Sequence, residues 1–185
     1  GGGKLRSTND LTQAAGLLVI DAGCQAEFGD LTQSGGTSRV DGSLLPGSLD
    51  LAGGTLTGSG VVGATLTAAN STVAPGSPVG ALSILFDTTL NTGTNVEIEL
   101  VDSTTVDALL VTTDLTLSVA TLELMAAGVP SFGPTELVPV ISAGGSLIGE
   151  FANAPEGSRL PIGASGFSFE VHYTSQAVLL TGFGT

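Results

Sequence analysis

The chain has 185 residues, 17 acidic side chains against four basic ones, a net charge of −13, and 42% apolar but only 4% aromatic residues. Surfaces for nucleic acid or anionic lipid need clustered Lys and Arg, so neither partner is expected. No apolar run nears the roughly 18 residues that cross a bilayer, so no membrane insertion is expected. The single cysteine, Cys24, excludes an internal disulfide and reads as a small buried hydrophobe.

Gly1–Gly3 are set aside, and Lys4–Asn9 form a short lead-in in which Lys4 and Arg6 are the only charges. From Asp10 the chain repeats itself. Asp10-Leu11-Thr12-Gln13-Ala14-Ala15-Gly16 recurs as Asp30-Leu31-Thr32-Gln33-Ser34-Gly35-Gly36, and more loosely as Asp50-Leu51-Ala52-Gly53-Gly54-Thr55-Leu56. The starts at 10, 30 and 50 set a period of 20 residues. A short period rich in Gly, Thr and aliphatics, with no helical pattern, marks a parallel β-solenoid. Strands are predicted at Leu17–Ile20, Ser38–Val40, Leu49–Leu51, Thr55–Thr57 and Thr65–Thr67, with glycines at the turns between them. An aliphatic core low in aromatics, with a mean hydropathy of +0.45, suits a narrow interior where like residues stack.

Ser71–Gly80 packs two prolines and two glycines into a turn-dense connector before a strand at Ala81–Phe86. Here Thr72-Val73-Ala74-Pro75-Gly76-Ser77-Pro78-Val79-Gly80-Ala81-Leu82-Ser83-Ile84 resembles a segment of bacterial autotransporter passengers and related secreted β-helical proteins. The resemblance continues through Val96–Leu100, Asp107–Val111, Leu115–Leu117, the Gly149–Gly157 turn, and a closing hairpin at Phe167–Tyr173 and Ala177–Leu180. It covers roughly Thr55 to Leu180 and implies a β-helix and a secreted, bacterial-type setting. It departs from the family in two respects: Val79-Gly80 stands where Gly would directly follow the proline, and no membrane barrel follows Thr185, so the chain is not expected to translocate itself.

Beyond Thr94 the strands lengthen. Val96, Ile98 and Leu100 alternate with Glu97 and Glu99, which places the glutamates on the solvent face. Leu115, Leu117 and Val119 share one parity and Leu122 and Leu124 the other, so a corner is predicted near Ala120-Thr121. Gly128–Pro134 reads as a loop. Phe167, Phe169, Val171 and Tyr173 point together and suit a terminal cap.

Candidate chemistry is sparse. Thr12-Gln13 and Thr32-Gln33, one period apart, read as a polar ladder that could serve ice or glycan but is weighted toward structure. His172, the only histidine, reads as a solvated strand residue without the partners of a catalytic triad. Asp102 and Asp107 could hold calcium with carbonyl oxygens, though turn aspartates are the preferred reading. Asn70-Ser71-Thr72 fits a glycosylation acceptor, but a turn role suffices for Asn70.

The expectation is therefore an all-β fold: solenoid coils over residues 4–93 and a strand-rich continuation with a C-terminal cap over 94–185. The expected role is a non-enzymatic, extracellular or cell-surface structural or adhesive module, with no catalytic, cofactor or metal site and no cofactor. Its expected partners are copies of itself or matrix components, with Lys4 and Arg6 drawing an acidic neighbour into a head-to-tail filament or surface layer. The alternative is a carbohydrate-binding or carbohydrate-degrading β-helix.

Overall fold

The computed structural model describes residues 2–76 and 79–185, so Ser77 and Pro78 of the proline-rich connector lie outside the described residues. The fold is all-β, with no helix among the described residues. One sheet of ten strands begins at Lys4–Arg6 and adds Gln25–Glu27, Ser43–Leu45, Val61–Val62, Ala81–Ile84, Ala108–Val111 and Val138–Ala143 in parallel. It ends with antiparallel strands Ala177–Gly184, Ser168–Tyr173 and Arg159–Pro161.

The register of that sheet shows how the chain travels. Lys4 lies opposite Gln25, Gln25 opposite Ser43, Ser43 opposite Val61, Val61 opposite Ser83, Ala81 opposite Ala108, and Leu109 opposite Ile141. The chain therefore comes back after 21, 18, 18, 22, 27 and 32 residues. Between visits it passes through a second, curled sheet with two flanks. The long strands Leu31–Val40 and Ser48–Gly58 serve both flanks, bending at Gly35-Gly36 and Gly53-Gly54. Gly36 and Gly54 have positive φ and stack on each other, and a Cβ on Gly54 would collide with the Gly36 carbonyl. Only glycine fits that column of corners.

The first two copies of the repeat pair as their spacing predicts, Leu11 with Leu31 and Gln13 with Gln33. The third does not: Leu31 meets Leu49 rather than Leu51, and Gln33 meets Leu51. A shift of two keeps every side chain on its own face, so Leu49 and Leu51 are both buried while Asp50 stays outside. The 20-residue spacing is thus not constant along the chain.

Aliphatic columns fill the interior. Leu44, Val62, Ile84, Val111 and Ala143 lie on successive strands of the first sheet, and Leu56, Val73, Val96 and Leu122 on the second. All nine are at most 5% exposed. Burial of a Leu or Val side chain contributes about 1.5–3 kcal/mol, so these columns dominate the favourable side of folding. Aspartates hold one set of corners from outside. Asp10 Oδ1 accepts from the Asp30 amide at 2.8 Å, and Asp114 Oδ1 from the Ser146 amide at 2.7 Å. Part of the chain's acidity is therefore structural.

The corner predicted near Ala120-Thr121 falls slightly earlier. Val119 takes a positive φ of 64° and is 58% exposed, so it does not share the buried side of Leu115 and Leu117. The strand that follows runs Thr121–Ser131, absorbing the start of the loop predicted at Gly128–Pro134. Its residues 121–126 extend the parallel pairing with Asn95–Asp102, which resumes at Ser131 opposite Asp102 after an irregular stretch in which Gly128 takes a positive φ of 112°.

Candidate functional site

The outer face of the second sheet gathers the polar groups with the most unusual surroundings. In register, Asn95 lies opposite Thr121, Glu97 opposite Glu123 and Glu99 opposite Met125. Asn95 Nδ2 donates to Glu123 Oε2 at 3.0 Å, and Thr121 Oγ1 donates to Asn95 Oδ1 at 3.1 Å. Partial burial, with Glu123 and Glu99 alongside, raises the Glu97 carboxyl above the ordinary range. Glu97, Glu99 and Asp107 border a cleft of about 260 Å³ with Thr57, Gly76 and Met125.

Asp107 is the buried member, 1% exposed. Its Oδ1 accepts from the Gly80 amide at 2.8 Å and its Oδ2 from the Glu99 amide at 2.9 Å. The carboxylate thus ties a corner to the outer strand, and burial pushes its pKa up to about 6 despite both bonds. Asp102 does something else. It accepts from the amide and hydroxyl of Thr104, an Asx turn that holds its carboxyl below the usual range. The two aspartates weighed as a calcium pair thus have separate backbone duties. Among the described residues, no three His, Cys, Asp or Glu side chains are grouped to hold a metal.

His172 is not simply solvated. Its Nδ1 sits 2.6 Å from Glu156 Oε1 and its Nε2 3.2 Å from Glu170 Oε1. The Glu156 bond chiefly raises the imidazole's pKa, and the same bond lowers that of Glu156. Glu156 Oε2 also accepts from the Tyr173 amide, and the Tyr173 hydroxyl donates to the Ala154 carbonyl, each at 2.6 Å. A triad histidine turns one nitrogen to a carboxylate and the other to a nucleophile. Both nitrogens of this chain's one histidine face carboxylates.

Gln13 and Gln33 depart from the expected outward ladder. They are 8% and 0% exposed, and their Oε1 atoms lie 2.8 and 2.7 Å from the buried Ser38 hydroxyl, whose one proton is donated to either of them. Gln33 Nε2 donates to the Gly36 and Thr55 carbonyls, and Gln13 Nε2 to those of Gly16 and Thr37. Each amide thus ties its own glycine corner to the next strand. Thr12 and Thr32 do face outward, in a row continued by Asp50, Thr67, Thr89 and Thr116.

Lys4 and Arg6, the residues expected to attract a second copy, both pair with Glu27 of their own chain at 2.8 Å. Their strand edges the first sheet, and nearby Leu5 and Leu17 are 57% and 66% exposed. Asn70 occupies a left-handed turn with φ 50°, in keeping with its turn reading. Asn153 drew no attention in the sequence, yet its amide grips the backbone of Leu122 at both ends: Oδ1 accepts from the Leu122 amide and Nδ2 donates to its carbonyl, each at 2.9 Å.

No family model matches the chain. It is similar to an extracellular serine protease of Serratia marcescens, 33% identical over 102 residues, which is 52% of this chain and 10% of that protein. The chain therefore spans about a tenth of the length of the curated relative it matches. The finding fits the resemblance to autotransporter passengers. It overturns the expectation of a non-enzymatic protein, because half of this chain has its counterpart in a protein named for proteolysis.

Proposed function

We propose that the chain is a β-solenoid segment of a secreted, autotransporter-type serine protease, forming part of the stalk that carries the enzyme outside the cell. The observation that carries this reading is the stacking of parallel strands in register at successive returns of the chain, in a sequence similar to that extracellular protease. The aliphatic columns and glycine corners are those of coils that bury a face only against their neighbours. The exposed Leu5 and Leu17 and the open strand edges at the N-terminal end fit one further coil stacked there. In this reading residues 4–93 are regular coils, and 94–185 add longer excursions and a cap. The chain's task is to hold the enzyme's working parts on a rigid, protease-resistant rod. The test is to express the longest natural polypeptide that contains this chain and label it with a serine-directed fluorophosphonate. Labelling together with proteolysis of casein is expected, and a polypeptide inert to both would refute the reading.

A further inference from the structure

We propose that the cleft between the Thr121–Ser131 strand and the cap binds an arginine side chain of a peptide, with Glu123 as the counter-ion of its guanidinium. The cleft measures about 510 Å³, within the range of small-ligand sites, and its wall includes Asn95, Thr121, Glu123, Asn153, Leu160 and Pro161. Glu123 is the one charged side chain that lines it. The chain's own cations are held elsewhere. Lys4 and Arg6 pair with Glu27, Arg39 with Asp21 and Asp41, and Arg159 bonds Ser168 and the Gly182 carbonyl.

The hydrogen-bonding capacity left on that wall selects the ligand. The Thr121 hydroxyl gives its proton to Asn95 Oδ1 at 3.1 Å or to the Thr94 carbonyl at 3.4 Å. The Asn95 amide gives its two protons to Glu123 Oε2 at 3.0 Å and Glu97 Oε1 at 3.3 Å. Asn153 Nδ2 gives one to the Leu122 carbonyl at 2.9 Å. A single Asn153 proton is then the last donor on these side chains, while Glu123, Thr121 and both amide oxygens keep lone pairs to offer. A sugar hydroxyl needs donors and acceptors in turn, whereas this wall accepts almost exclusively and carries negative charge. A guanidinium matches it, with five N–H donors, no acceptor, and a planar edge that meets a carboxylate in two parallel bonds. Leu160 and Pro161 give its aliphatic stem an apolar side to lie on. The relay from Thr121 through Asn95 holds the Glu123 carboxylate in place beforehand, so less ordering is needed on binding. Glu97, bonded to the same Asn95 amide, and the net charge of −13 disfavour a ligand with its own carboxylate. An arginine within a peptide therefore fits better than the free amino acid.

The test is a nuclear magnetic resonance titration of the full chain at neutral pH and low salt with acetyl-glycyl-arginyl-glycinamide. The amide signals of Leu122, Glu123 and Gly163 should move together and saturate. The citrulline counterpart keeps the shape of the side chain but loses its charge, and it should bind at least about tenfold more weakly. Free L-arginine should also bind more weakly than the tripeptide. Glu123→Gln should weaken the arginine peptide by a similar factor, whereas Asp50→Asn, which removes one charge from the other flank, should leave its affinity unchanged. Signals that do not move, or an equal response to the citrulline peptide or to free arginine, would overturn the proposal. So would an Asp50→Asn chain that loses as much affinity as Glu123→Gln, since attraction to net charge alone would then suffice. The citrulline comparison is made on the wild-type chain and stands even if a variant fails to fold.

Discussion

At the scale of single residues, the telling groups are polar ones that found backbone partners. Asp107 serves two amides, so Asp107→Ala leaves both without an acceptor, and a loss of about 2–5 kcal/mol is expected from denaturant unfolding at fixed pH. Its pH behaviour follows from a folded pKa of about 6 against an ordinary value of 3.8. A raised carboxyl favours the folded state when protonated. Its contribution is complete below 3.8 and is withdrawn as pH rises through about 6. Asp107→Asn should therefore flatten the stability profile between those limits, and a profile identical to wild type would contradict the assignment. His172 is also raised, from 6.5, so the stability it lends the cap is present below that value and lost as pH climbs past the shifted one. Stability of His172→Gln, followed by thermal unfolding from pH 6 to 9, should lack that decline. Its neighbour Glu156 is shifted down, so its share is present above 4.5 and fades on acidification.

Elements divide into those that periodicity reveals and those that it does not. Alternation placed Val96, Ile98 and Leu100 inside with Glu97 and Glu99 outside, and burial follows that pattern. The closing hairpin is similar: Phe169 and Val171 are fully buried, with Phe169 edge-on to Phe132 at 5.0 Å. Phe169→Ala should cost roughly 3–5 kcal/mol, as large cavities do, whereas Glu170→Ala should cost less than about 1 kcal/mol near neutrality. Equal losses in chemical denaturation would show the facing to be wrong. Other features were illegible because they depend on the neighbouring turn of chain. Gln13 and Gln33 look like solvent residues by composition. They are inside because their side-chain amides bond the carbonyls of the glycine corners three residues on and those of the adjacent strand. The repeated spacing of Gln13 to Gly16 and Gln33 to Gly36 was the available clue. Asn153 carried none, since its partner Leu122 is 31 residues away in sequence. The register of the third repeat was hidden for a related reason: a two-residue slip leaves the apolar pattern intact and only changes which leucines meet.

For the whole molecule, the account rests on a chain that returns to the same faces at uneven intervals, 17 residues from Asp50 to Thr67 and 27 from Thr89 to Thr116. The aliphatic interior tolerates that unevenness because extra residues leave at corners and the strands resume in register. The direct measurement is disulfide trapping in a Cys24→Ser background. Asp50 and Thr67 are outward-facing partners on adjacent parallel strands, about 4.8 Å apart, within the span a disulfide bridges. Asp50→Cys with Thr67→Cys should cross-link rapidly on mild oxidation and run as a compact monomer in a non-reducing gel. Asp50→Cys with Asn70→Cys, the pair that an unbroken 20-residue period would align, should stay reduced. Cross-linking of the second pair but not the first would contradict the stacked register, and with it the proposed solenoid.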